Sequence, residues 1–122
     1  MTRIVHDDRV LATDVTVADS LLAKARGLMF RRSFPEGSAL VFPFDSPASR
    51  TLHMVGVPFD IDAVWLLEGR VERTARLSAW TGLGRATADT VIELPAGAAD
   101  GIEAGDVIRI DEYRSDRQSL HS

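Results

Sequence analysis

The chain contains no cysteine. That excludes a disulfide framework and a thiolate metal site, and it removes the most reactive side-chain nucleophile. Lysine is nearly absent too: Lys24 is the only one, so every other permanently charged cation is arginine. Arginine presents a planar fork that grips carboxylate or phosphate with two bonds, but its use throughout a chain reads as base composition or adaptation to salt rather than as a site. No apolar run approaches the ~20 residues of a membrane-spanning helix. Residues 1–8 lack a basic segment followed by an apolar one, so no secretory signal is read there and a soluble, cytoplasmic protein is expected. Lys plus Arg number 14 against 18 Asp plus Glu, a net charge of −4. A mildly acidic surface repels a phosphate backbone, and neither a nucleic-acid nor a membrane partner is expected.

What remains is ordinary globular material. A length of 122 residues suits one domain, and 45% hydrophobic residues argue against wholesale disorder. We read a single β-rich domain over 1–112 and a polar tail over 113–122, expected to fray. Residues 3–17 are rich in β-branched side chains and predict two short strands, broken at Asp7-Asp8. Asp19 or Ser20 is a suitable N-cap for a helix over 21–26, stopped by Gly27. Residues 39–44 form an almost continuous apolar run, as in a strand buried on both faces, ended by Ser46 and Pro47. Further strands are predicted over 50–55, 60–67, 71–77, 90–94 and 106–110. Glu68-Gly69-Arg70 makes a hairpin turn. In the strand after it, Val71, Arg73, Ala75 and Leu77 share one face. The spacing predicts a mainly β fold with one helix (α+β), an antiparallel sandwich or barrel.

Six blocks occur in a familiar order: residues 26–31 (RGLMFR), 39–42 (ALVF), 53–54 (HM), 61–66 (IDAVWL), 91–97 (VIELPAG) and 105–108 (GDVI). With these blocks the chain resembles an archaeal-type member of the domain of unknown function family 192, also called uncharacterised protein family 0127. The resemblance spans roughly residues 11–111. It implies a compact, jelly-roll-like β domain with one helix and no established activity. The family's usual lysine-asparagine-threonine after its methionine is replaced here by Val55-Gly56-Val57. The family aspartate, eight residues after the methionine, falls on Asp62.

Several residues are candidates for chemistry. Arg26, Arg31 and Arg32 cluster near the helix end, either as an anion clamp or as cations satisfying helix carbonyls. His53, Asp60 and Asp62 could form a hard-metal site or an acid/base pair, because Asp60 and Asp62 point the same way in an extended strand; the competing reading is a solvated strand end. Trp80, in a glycine-rich loop, is a stacking platform or a plug for the sandwich end. Glu93, between Ile92 and Leu94, is read as facing outward or pairing with Arg26 or Arg50. No serine elbow and no phosphate-binding glycine loop is present.

The preferred expectation is a non-catalytic module that binds a small anion or sugar through Arg26, His53, Asp62, Trp80, Arg31 and Glu93, without a cofactor or a bound metal. The alternatives are a small metal-dependent or acid/base enzyme using His53 with Asp60 or Asp62, and an interaction or homo-oligomerisation module using the apolar strands 39–44 and 64–67.

Overall fold

In a computed structural model, which describes residues 2–20, 24, 27–29 and 31–112, the β-branched opening segment forms three strands rather than two. These are β1 (Thr2–His6), β2 (Arg9–Ala12) and β3 (Asp14–Val17). Asp7 takes a left-handed φ of 52° in the hairpin turn between the first two, a conformation aspartate tolerates. The second break falls at Thr13. There the N–H groups of Thr13 and Asp14 both donate to Gly37 O at 2.9 Å, and the chain crosses from one sheet to the other.

Five more strands follow: β4 (Ser38–His53), β5 (Ile61–Leu67), β6 (Arg70–Leu77), β7 (Leu83–Pro95) and β8 (Ile108–Glu112). One sheet has the order β2-β1-β8 and the other β3-β4-β7-β5-β6, and neither closes into a barrel. All strand pairs are antiparallel except β3 with β4. The mainly β expectation therefore holds, as two sheets. Lys24 N–H donates to Ser20 O at 3.0 Å, a helical bond, but most of the helix expected over 21–26 lies outside the described residues, as does the tail 113–122. Neither the single helix nor the jelly-roll detail is borne out by the described residues.

The five-stranded sheet is buried on both faces at its centre. On one side Ala39, Val41, Val64, Leu66, Ile92 and Leu94 pack with Ile4, Leu11 and Ile108 of the smaller sheet. On the other, Leu40, Phe42, Ile61, Ala63, Trp65 and Val91 pack under the loop residues Ala18, Leu28, Met54 and Val57. This alternation is the period-2 consequence of pleating, read off continuous apolar runs. Of the apolar strands 39–44 and 64–67 expected at an interface, Ala39–Phe42 and Val64–Leu66 are buried inside the molecule.

Two bulges correct the strand boundaries. Ser46 and Pro47 do not end a strand. They sit in a bulge where Pro43 faces Thr90 and Ala48 faces Ala88, so residues 44–47 oppose Asp89 alone and β4 continues to His53. A bulge also skips Glu72, since Leu66 pairs with Val71 while Trp65 pairs with Arg73. That extra residue flips the alternation, so Val71 and Leu77 enter opposite cores instead of sharing a face.

Asp62 is the buried polar hub of β5. Its Oδ1 accepts from Arg76 Nε at 2.8 Å, and its Oδ2 accepts from the N–H groups of Gly97 and Ala99 at 2.9 and 3.0 Å. One carboxylate thus clasps the turn after β7 onto the sheet. Trp65, fully buried, donates its indole N–H to Arg50 O at 2.9 Å and fills the space that Gly84 leaves by lacking a side chain.

Replacing Asp62 by alanine should cost about 3 kcal/mol, because it strips the two turn N–H groups and Arg76 of their acceptor. Urea denaturation reads this; a loss below about 1 kcal/mol would mean that the clasp carries little. Gly84→Ala would put a Cβ 2.7 Å from Trp65 Cη2, and the pinned ring has nowhere to go. Overpacking of this kind costs about 1–3 kcal/mol, visible as a lowered Tm.

Candidate functional site

A cavity of about 400 Å³ opens on the second face of the large sheet. β4 and β7 supply its sheet side through Phe42, Val91 and Glu93, and the segment Gly27, Leu28 and Met29 lies across it. Beyond the bulge, Ser49, Arg50, Thr51, Leu52 and His53 line one wall, with Val57 near the end. Phe44 and Lys24 complete the lining.

Local folding explains the placement. Phe44 follows Leu40 and Phe42 on the same face of β4 by simple alternation; it is half-buried against that core and lines the cavity, and the bulge at 44–47 interrupts the pairing there. Arg50 then folds back on Phe44. Its Cζ lies 3.8 Å from the Phe44 ring centroid, its Nη2 donates to Ser46 O at 2.6 Å, and its Nε donates to Ala88 O at 3.4 Å. Lys24 Nζ lies 4.6 Å from the centroid of the same ring. Both cations gain from the ring's negative face. Their charges lie within about one screening length, roughly 10 Å at 0.1 M salt, so they repel each other and an anion between them relieves the repulsion.

Glu93 is the opposite pole. It sits near the end of β7, opposite Leu40 on β4 and Ala63 on β5, and it is 6% exposed. Burial pushes its carboxyl from the ordinary 4.5 up to about 7, and the positive charge of Arg31 pulls in the other direction. No hydrogen bond from a described residue reaches this carboxylate, although it borders the cavity. Gly27 lies close above it, at a left-handed φ of 48°; a Cβ there would stand 3.5 Å from both Glu93 Oε1 and Phe42 Cζ.

The expected site residues divide. His53 and Glu93 do line one cavity. Glu93 does not face outward, because β7 is covered on both sides, and Ile92 and Leu94 occupy the other core. Arg31 is exposed and reaches Glu93 only through its charge. Arg26 lies outside the described residues. Asp62 belongs to the opposite face, spent on its turn. Asp60 is spent likewise, accepting from Ala79 N–H at 2.8 Å. The two carboxylates hold separate backbone segments rather than one ion, and among the described residues no cluster of His, Asp and Glu is arranged to hold a metal. Trp80 is neither a plug nor part of the cavity wall: it is 58% exposed, and its backbone N–H donates to Val57 O at 2.9 Å. His53 Nδ1 accepts from Val55 N–H at 3.2 Å, which leaves its neutral-form proton on Nε2.

Sequence reasoning missed Lys24, Phe44 and Arg50 as a group. The signal was the proline-flanked stretch 43–47 inside an apolar strand, which marks a bulge.

Glu93 sets a pH dependence. A carboxyl with a higher pKa folded than unfolded binds more protons in the native state. The contribution of Glu93 to stability is therefore greatest below the ordinary value of 4.5, falls as pH rises to about 7, and is flat above it. The full cost at high pH is about 3 kcal/mol. Glu93→Gln, which keeps the shape of the neutral acid, should remove that slope and raise the unfolding free energy at pH 8 towards this amount. Denaturation curves at pH 5 and pH 8 compare the two proteins; an equal slope in both would place the titration elsewhere.

Comparison with known proteins gives a family and a fold. A family model for DUF192, described as "Uncharacterized ACR", matches residues 2–110. No curated protein matches the chain. The crystal structure of a protein from Sinorhizobium meliloti 1021, described as a candidate transcription regulator, is similar with a TM-score of 0.75 and 19% identity, covering 89% of this chain and 91% of that one. A protein of unknown function from Novosphingobium aromaticivorans DSM 12444 is similar with a TM-score of 0.72 and 21% identity, covering 88% of this chain and 82% of that one. At these identities the two structures share its fold, and the family model, spanning nearly the whole chain, shows that this protein belongs to the DUF192 family.

Proposed function

We propose that this protein is a soluble, cytoplasmic module that binds a small organic anion, such as a sugar phosphate or sugar acid, in the cavity between Phe44 and Glu93. The observation that carries the reading is the pair of cations on one ring: Lys24 and Arg50 both lie against Phe44 at the cavity wall. Arg50 is held by two backbone carbonyls, so its guanidinium is positioned before any ligand arrives. Ser49 and Thr51 add hydroxyl groups to the same wall, and Leu28, Phe42 and Val91 supply apolar surface for a ligand's body. A volume of about 400 Å³ suits a molecule of sugar size.

The other readings have less support. An acid/base or metal enzyme built on His53 with Asp60 or Asp62 needs groups that are committed to different segments. Regulation of transcription, the description of the Sinorhizobium meliloti protein, lacks the basic surface that a phosphate backbone requires in a chain of net charge −4.

Thermal-shift and calorimetric titration with glucose 6-phosphate, glucuronate and inorganic phosphate test the proposal. At least one of them should raise the Tm, by an amount set by the ratio of ligand to Kd and equivalent to about 2.7 kcal/mol at a hundredfold excess over Kd. Arg50→Gln should weaken that ligand about tenfold or more and flatten its salt dependence. No shift with any of the three at high excess would overturn the reading.

A further inference from the structure

We infer that the cavity selects organic anions that also carry an amine, the ammonium group lodging against Glu93 while the anionic end meets Lys24 and Arg50. This rests on the anion-site reading and adds the chemistry of the ligand's other end.

The inference comes from the separation of charge within one cavity. Arg50 and Lys24 lie at Phe44, and Glu93 lies among Phe42, Leu28 and Val91. A buried carboxylate is retained in structures when it is paired, ligated or used. Asp62, the other buried carboxylate in the large sheet, shows what structural use looks like: two backbone N–H groups and a guanidinium. Glu93 has no hydrogen bond from any described residue, is more than nine-tenths buried and borders open space. The cavity is the space in which a ligand group could meet this carboxylate.

The groups around it define what it would accept. From β4 come Arg50 and His53; from the segment across the cavity come Lys24 and, through charge alone, Arg31; β5 presents Ala63 directly opposite. Arg50 is already engaged with Phe44, Ser46 O and Ala88 O. An ammonium supplies three N–H donors and the compensating charge, and apolar surroundings strengthen that pair beyond its worth in water. A hydroxyl supplies one donor and no charge. A purely anionic ligand placed near Glu93 would be repelled.

Matched probes separate the possibilities. O-phosphoethanolamine is compared with 2-hydroxyethyl phosphate, and glucosamine 6-phosphate with glucose 6-phosphate, by calorimetry at pH 7.5. In the wild-type protein at least one amine should bind about tenfold tighter than its hydroxyl counterpart. Glu93→Gln, isosteric with the neutral acid, should bring the two members of that pair to within about twofold. Arg50→Gln should weaken both members alike and leave their ratio intact. Equal binding of amine and hydroxyl to the wild-type protein overturns the inference and leaves the anion site standing. An amine preference that survives in Glu93→Gln also overturns it. If none of the four phosphates binds, the anion site falls and this inference falls with it.

Discussion

At the centre of the large sheet both faces are covered, and that constraint governs the rest of the molecule. Along Ile61–Leu66 of β5 and Val91–Pro95 of β7 a sheet lies on one side and loops on the other, and every residue is buried. Under that condition an ionisable residue in these strands must either be satisfied by the protein or be left facing a space. Among the described residues Asp62 and Glu93 are the two charged ones found buried, and they illustrate the two outcomes. Asp62 is saturated by Arg76 and two turn amides. Glu93 faces a cavity, with its proton held to near-neutral pH by burial.

The cavity is built from core elements rather than added to them. Trp65, completely buried, holds the carbonyl of Arg50 with its indole N–H. Arg50 in turn lies on Phe44, which shares a face of β4 with Leu40 and Phe42, and Lys24 approaches the same ring. Core packing and site geometry are therefore coupled: an overpacked Trp65 displaces the strand segment that carries the arginine. Small residues on neighbouring strands make room for this arrangement. Gly84 accommodates the indole, and Ala63 stands opposite Glu93.

Membership of the DUF192 family and the two similar solved structures support the architecture more than the chemistry. Function has to be read from the site. Its composition is two cations on one aromatic ring, two hydroxyl residues, apolar walls and a carboxylate at the opposite pole. That arrangement supports recognition of a polarised small molecule. It offers no activated nucleophile among the described residues, since the serine and threonine of the wall have no base bonded to them.

Local pattern was enough for the β class, the apolar strand centres and the hairpin at Glu68-Gly69, because pleating and turn chemistry act over a few residues. It was also enough to find Glu93 and His53 as unusual. The run around Glu93 even held the answer to its direction, since a strand apolar on successive positions has no outward face. The division of 2–17 into three strands, the unbroken length of β4 and the flip after Glu72 were decided by pairing partners far away in the chain. The same holds for the site. Lys24, Phe44, Arg50 and Glu93 lie up to 69 positions apart along the chain (24 to 93), and no periodicity links them. Only the register of β4 against β7, with β5 beside them, brings these residues to one space and sends Asp62 to the other side of the sheet.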